Sequence, residues 1–426
     1  MISVAFDTSA FDPRFKSHAQ RGIGRYARHV AEYLTSHQDP EVSVSWFDHD
    51  SLLTTGFATR AIDLLPCARQ TLRQQLLYPL KLSRGALKSA SCIHFPAHMD
   101  GPAWCPKPYI LTVHDLIPLI LEPLYRAHRP NWRFEFARWL ENTSIRNALL
   151  LLAVSETTAN DVTRILGIPR ERIVVTPNGV EDNFFDLFDL RRNLSCEARD
   201  ELRGRLRIPR DRKIILYVGG HDERKNIRAV VEISREVIIE KTSRGETPPV
   251  LVLAGKINSE REREVLHTAL RDFAMASDTI DLGYVSESDL RSLYAESSCF
   301  LFPSLYEGFG LPVLEASAAG VPVVSSDRGA LPEVLGDTGL LFNPEDSIGG
   351  ATAVLSILND PALSERLSCA GHAHARKYSW ERTGKLTLEA YRYAGALLTQ
   401  TSRGGKIPHP SPQVENSLAQ RAGNAG

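Results

Sequence analysis

Residues 304–316 read SLYEGFGLPVLEA, and Glu307 and Glu315 stand eight residues apart among apolar, small and aromatic neighbours. A carboxylate in such company is costly to bury unless donors bond to it. Hydroxyl groups of a sugar are suitable donors. Gly308 and Gly310 let main-chain N–H groups come close to a ligand, and together with the start of the next helix they suit an anion. Pro312 fits the first turn of that helix, which places Glu315 about one turn in. A glutamate there could simply complement the helix dipole, but that does not account for the apolar, small residues around it.

Three further groups carry chemistry. The stretch GGHDERKN (219–226) follows an apolar strand and opens a helix, the βα turn where phosphates commonly sit. Arg224 and Lys225 put two cations at the wrong end of a helix for its dipole, which makes sense if they meet a diphosphate; the plainer reading is a solvated pair on a loop. In TVHDLIPL (112–119), His114 sits at the end of a strand beside Asp115, which could orient its imidazole. In RGIGRY (21–26), Gly22 and Gly24 enter the first helix; a G-x-G by itself often marks only a loop.

These residues need a scaffold that brings strand ends together. Short apolar runs at 2–6, 42–47, 91–95, 109–113, 149–154 and 172–176 alternate with helix-length segments such as 24–36 and 133–147. A polar stretch at 181–211, rich in Arg and Asp, reads as an interdomain linker with one short helix. The rhythm restarts at 213–218, 250–254, 279–284, 299–303, 321–326 and 339–342, and 346–358, 361–377 and 380–398 look helical. Near-continuous apolar strands with intervening helices imply parallel sheets covered on both faces. The expected class is α/β, with two Rossmann-like domains facing across a cleft, the default place for a ligand. The expected domains are 1–190, a linker at 191–211, 212–378, a C-terminal helix at 379–399 packing back on the first domain, and a disordered tail at 400–426.

The 426 residues are 43% hydrophobic and 24% charged, with a formal net charge of −1, so no global polycation awaits nucleic acid. The six cysteines are scattered without a CxxC pair, which indicates neither a zinc site nor a disulfide framework. The start MISVAFDTSA reads as a strand, and no apolar run approaches the ~18 residues of a membrane span. FDHD (47–50) contains a D-x-D, read as a solvated acidic loop, and no other clustered carboxylates suggest a metal. Residues 64–90 hold Arg69, Arg73, Lys81, Arg84 and Lys88 interleaved with leucines and no acidic residue. They form either a helix lying on an anionic membrane surface or a core-facing helix with a solvated basic face. A cytoplasmic enzyme, peripheral on the inner face of the plasma membrane in the first case, is the expectation.

The run EGFGLPVLEA followed by GVPVVSS (320–326) resembles the E-x7-E signature of retaining glycosyltransferases of the GT-B fold, specifically glycosyltransferase family 4. The resemblance extends over most of residues 1–398. It implies that Glu307 binds hydroxyls of a donor sugar and Glu315 the nucleotide ribose, with Gly308, Phe309, Gly310 and Leu311 lining the donor. It implies that the Gly22 and Gly24 loop lies against the donor phosphate and acceptor, and that His114 contacts the donor sugar and supports the reacting centre. Main-chain groups near Tyr284 and Val285 would pair with the nucleotide base. The family commonly carries an arginine right after the glycine of the phosphate turn; here Gly219 is followed by Gly220, so Arg224 would substitute, beside Lys225. No cofactor or metal is implied. RGIGRY together with HDLIPL looks most like bacterial mannosyltransferases that build O-antigen or exopolysaccharide, which makes GDP-mannose the expected donor and a glycan or lipid-linked glycan the acceptor. Three rivals stay open: a nucleotide-sugar epimerase of the same fold, a glycoside hydrolase using Glu307 and Glu315 as its carboxylate pair, and a non-catalytic scaffold.

Overall fold

A computed structural model describes residues 1–11, 22–48, 75, 79, 82, 85–128, 132–193, 195–257 and 259–401. The basic stretch 64–90, apart from 75, 79, 82 and 85–90, lies outside the described residues, as do Arg21, Asp50 and the tail from 402.

The chain divides into two compact units, one of Met1–Gly179 with Trp380–Gly426 and one of Val180–Ser379. Each is built on a six-stranded sheet in which every pairing is parallel. The first sheet holds β1 (Ile2–Asp7), β2 (Val42–Phe47), β3 (Cys92–Phe95), β4 (Tyr109–Val113), β5 (Leu150–Ala153) and β6 (Ile173–Val175), in the order β2-β1-β3-β4-β5-β6. The second holds β7 (Ile214–Val218), β8 (Val250–Ala254), β9 (Thr279–Asp281), β10 (Cys299–Phe302), β11 (Val323–Ser326) and β12 (Leu340–Phe342), in the order β12-β11-β10-β7-β8-β9. Central strands such as YILTV and VLVLA are buried along their whole length, as strands covered on both faces must be. Each run of residues read as a strand from the sequence is one.

The strand order places the chemistry. In an open parallel sheet, chains leaving two neighbouring strands in opposite directions open a crevice at their carboxyl ends. In the second unit that reversal falls between β7 and β10, and the loops leaving those strands are the ones that carry Arg224, Lys225 and Glu307. In the first unit it falls between β1 and β3.

The stretch expected to be a linker is not one. Residues 182–193 and 196–205 are helical, and the chain divides at Gly179, not at residue 190. Arginines of this stretch are anchors. Arg191 is half-buried and donates to the carbonyls of Tyr294, Ala295 and Ser297 at the end of the helix Glu287–Glu296. Arg199 and Arg203 pair with the buried carboxylate of Glu296, at 3.1 and 2.9 Å. Phe184 sits edge-on to Tyr294, 5.7 Å between centroids.

The helix Trp380–Thr401 lies on the helix Gly22–Ser36 of the first unit. A side chain on Gly384 would strike the Tyr33 ring at 2.1 Å, so glycine sets how close the two helices come. His29 stacks on Trp380 at 4.6 Å. Tyr391, fully buried, bonds through its hydroxyl to His94 Nδ1 at 2.6 Å.

Candidate active site

Strand β10 (CFLF) is buried, and the chain leaves it through Pro303 and Ser304 into the loop that holds Glu307. Gly310 ends that loop at φ +108°, a conformation that costs an L side chain dearly, and the helix Leu311–Ala318 starts behind it with Pro312 in its first turn. A second glycine, Gly329 at φ +60°, lets the chain before the helix Leu331–Leu335 press against the loop: a Cβ there would lie 2.5 Å from the Glu307 carbonyl oxygen. Ala330 N–H donates to that same carbonyl at 2.9 Å.

The turn after β7 is zipped to this loop. Leu305 N–H donates to the Arg224 carbonyl at 2.7 Å, and Ser304 Oγ lies 3.1 Å from it. The side chains then converge. Lys225 Nζ lies 2.7 Å from Glu307 Oε1, Arg224 Nη1 2.9 Å from Oε2, and Ser304 Oγ donates to Oε1 at 2.6 Å. Arg224 Nε also lies 3.0 Å from Asp222 Oδ1. Lys225 stands over the Phe302 ring at 4.8 Å. Burial opposes a charge on Glu307, but Arg224, Lys225 and Ser304 outweigh it and hold the carboxyl at about 2. Burial lowers the Lys225 ammonium from its ordinary range, with Glu307 pulling it back up. Two cations and two carboxylates thus meet where the strand order reverses.

Glu315 is 2% exposed, on a helix buried almost all round. Tyr294 Oη donates to its Oε2 at 3.0 Å, a partner that lies 21 residues away and carries no signal in the glutamate's own neighbourhood. Phe309 is buried edge-on to Tyr378, at 5.8 Å, and Leu311 is buried too, so the side chains of both belong to the core. Gly308 is buried as well. Gly219 and Gly220 are half-buried in the turn after β7, where Tyr217 Oη donates to the Gly220 carbonyl at 2.6 Å. Next to them, His221 is fully buried with no hydrogen-bond partner for either ring nitrogen among the described residues, and burial lowers its pKa. Tyr284 is 73% exposed after β9, and Val285 is half-buried.

The first unit holds the remaining candidates. Gly22 and Gly24 are not in a loop: they form the first turn of the helix Gly22–Ser36, with Gly24 buried. His114 follows β4 and is 7% exposed. Its Nε2 bonds to the Pro96 carbonyl at 2.8 Å, so that nitrogen carries the proton and Nδ1 is the acceptor. Tyr26 stands edge-on to the ring at 5.0 Å. Asp115 does not orient the imidazole in the way its position suggests; its Oδ1 accepts from Ile117 N–H at 3.1 Å. Behind His114 lies a buried pair the sequence did not single out, His98 with Glu141.

Among the described residues, no helix is long and apolar enough to cross a membrane. Residues 20–184 match the family Glycosyltransferase Family 4, and residues 198–374 match Glycosyl transferases group 1. The chain is 31% identical over 290 residues to the O-antigen chain mannosyltransferase B of Escherichia coli, covering 66% of this chain and 70% of that one. It is 29% identical over 282 residues to the serotype-specific mannosyltransferase WbdA of Escherichia coli, covering 66% of this chain and 33% of WbdA, so it spans about a third of that relative's length. Among solved structures, the sucrose-phosphate synthase from Thermosynechococcus elongatus superimposes with a TM-score of 0.70 at 21% identity, covering 93% of this chain and all 100% of that one.

Proposed function

The chain belongs to the family 4 glycosyltransferases of the GT-B fold, and we propose that it moves mannose from GDP-mannose to a hydroxyl of a glycan or lipid-linked glycan acceptor, in the synthesis of bacterial surface polysaccharide. The transfer retains the anomeric configuration and needs no metal ion. The observation that carries this reading is the meeting of Arg224, Lys225 and Glu307 where the strand order reverses. The mannose assignment is supported by the two Escherichia coli relatives, both mannosyltransferases.

In this reading the bond from the anomeric carbon to the diphosphate oxygen breaks and one to the acceptor oxygen forms; the acceptor's hydroxyl proton passes to the leaving diphosphate oxygen, and GDP leaves. Negative charge grows on the leaving diphosphate. Lys225 and Arg224 meet it, with main-chain N–H groups of the 219–226 turn and of the loop at Gly308–Leu311. Glu307 remains ionised throughout, accepts from hydroxyls of the mannose, and holds the two cations in place. Glu315, oriented by Tyr294, accepts from the ribose. His114 accepts through Nδ1 from a donor hydroxyl. The same reading puts the work at the cytoplasmic face of the plasma membrane.

A carboxyl held at about 2 is a poor general acid near neutral pH, so in the hydrolase reading Glu307 could serve only as the ionised nucleophile or base. The test is calorimetry of GDP, UDP and ADP in EDTA, on wild type and Glu315→Ala. GDP binding that weakens in the variant supports the reading. Preference for another nucleotide removes GDP-mannose, and no binding of any nucleotide removes the transferase.

A further inference from the structure

His114 is held twice by one short stretch of chain. Its ring bonds to the Pro96 carbonyl, and its main-chain N–H donates to His98 Nδ1 at 3.3 Å. Pro96 and His98 both belong to the connection leaving β3, next to β4 in the sheet, and the register Ile93↔Tyr109 sets the two strand ends side by side. That connection leaves at the point where the first unit's strand order reverses. His98 is itself pinned from the other side: its Nε2 lies 2.9 Å from Glu141 Oε1, reaching in from the helix Trp132–Asn147, and Glu141 also pairs with Arg138. His98 is 3% exposed and Glu141 9%. A buried acid–histidine pair is costly to build, and replacing one by apolar residues is often neutral or stabilising. Its presence here calls for a task.

We propose that His98 is a positioning residue, a clamp fixed by Glu141 that sets where the His114 main chain, and with it the His114 ring, stands. The proposal rests on the role given to His114 above. The clamp needs one tautomer. To accept the His114 N–H, Nδ1 must be without a proton, so Nε2 carries it and donates to Glu141. A second proton would turn Nδ1 into a donor facing a donor, and the bond would break. Burial resists that proton and Arg138 opposes it, but Glu141 and Asp115 outweigh both and raise the His98 pKa above its ordinary range, so the clamp closes only as pH rises past that titration; His114 itself lies 6.2 Å away, ring to ring.

Two isosteres separate the clamp from a plain structural tie. In His98→Asn the amide oxygen takes the place of Nδ1, keeping the acceptor for His114 and losing Glu141. In His98→Gln the amide reaches the place of Nε2, keeping Glu141 and leaving the His114 N–H without its acceptor. Turnover is measured with GDP-mannose and a synthetic α-mannoside acceptor, and folding by far-UV circular dichroism. The clamp predicts that His98→Gln loses kcat by about 100-fold with little change in KM, the size of effect a small misplacement produces, and that His98→Asn recovers most of that loss. A structural tie predicts the reverse order, since Gln keeps the buried acid paired; that result overturns the proposal. A wild type that does not turn over GDP-mannose, or a fully active His114→Ala, would instead overturn the function proposed above, whereas an active His98→Gln beside an inactive His114→Ala overturns the clamp alone. Should the His98 variants not fold, Glu141→Gln serves. Its carbonyl still accepts from Nε2, but a neutral partner makes the second proton less welcome, so the acid limb of the pH–rate profile moves to lower pH. An unmoved limb overturns the clamp.

Discussion

Lys225 and Glu307 lie 82 residues apart in the chain and 2.7 Å apart in space, each buried, with Arg224 on the other oxygen of the same carboxylate. The cations that a diphosphate would meet are therefore already engaged, and a donor shares them with Glu307. In the proposed reaction Lys225 would thus serve two ends: it satisfies a glutamate that would otherwise be buried with one cation fewer, and it would supply charge to the leaving group.

Lys225→Ala separates these ends. We expect kcat/KM for GDP-mannose to fall by about 10²–10³-fold, as when one donor to a developing charge is removed. Unfolding free energy should fall by about 3 kcal/mol, because Glu307 loses a buried partner. In the double variant Lys225→Ala/Glu307→Gln the buried charge is gone, so stability should largely return while turnover does not. Urea unfolding and initial rates on the same four proteins complete the cycle. Turnover returning together with stability would mean that Lys225 acts only as a structural partner.

Glu307 also predicts an acid limb. Its carboxyl is held at about 2, against an ordinary value of 4.5. Between those values the unfolded chain binds a proton that the folded one does not, so stability rises with pH across that window. The contribution is present above about pH 4.5 and is lost as pH falls toward 2. Glu307→Gln should flatten that part of the curve when unfolding is followed by far-UV circular dichroism. Matching acid slopes in wild type and variant would mean that the carboxyl is not held by its cations.

The sequence already contained the sheets, because strands buried on both faces are written as unbroken apolar runs such as YILTV and VLVLA. It also contained Glu307, Arg224 and Lys225, since charges in loops that follow such runs stand out. What it hid is partnership over distance. Nothing near Glu315 points to Tyr294, and nothing near His114 points to His98 or Glu141; each of these residues looks like ordinary helix or loop until the strands are ordered. Residues 181–211 misled for the same reason. A stretch rich in Arg and Asp reads as a linker, and only Glu296 and the carbonyl ends of a helix elsewhere in the chain show that Arg191, Arg199 and Arg203 are anchors.

Tyr294→Phe tests one of those hidden partners. The hydroxyl donates to Glu315 at 3.0 Å inside the core, so its loss leaves a buried carboxylate with one donor fewer. A hydrogen bond to a charged group contributes roughly 1.5–3 kcal/mol, so we expect GDP affinity to weaken about tenfold or more by calorimetry if Glu315 holds the ribose in the orientation Tyr294 sets. An unchanged affinity together with a lower melting temperature would reduce the pair to a structural role.

The polar centre of the first unit gives a second acid limb, separable from the first. His94 is fully buried between Tyr391 Oη, 2.6 Å from Nδ1, and Thr112 Oγ1, 2.9 Å from Nε2. Burial, with His114 adding to it, lowers its pKa to about 3 from an ordinary 6.5. In that interval the unfolded chain takes up a proton that the folded one refuses, so stability is lost as pH falls from about 6.5 toward 3. Glu307 contributes nothing between about pH 6.5 and 4.5, and the upper part of the window therefore belongs to His94 and not to Glu307. All five tryptophans, Trp46, Trp104, Trp132, Trp139 and Trp380, lie in the first unit, so tryptophan fluorescence reports on the unit that holds His94 while the second unit is silent. His94→Gln should be less stable at neutral pH by about 1–2 kcal/mol, the cost of a buried hydroxyl without its partner, and should lose the slope in urea midpoint between pH 6.5 and 4.5. Because other histidines titrate in the same range, the wild-type-minus-variant difference is the quantity to read. A difference that does not change with pH would mean that the ring takes its proton inside the folded protein, and that the core around Tyr391 and Thr112 is open to water.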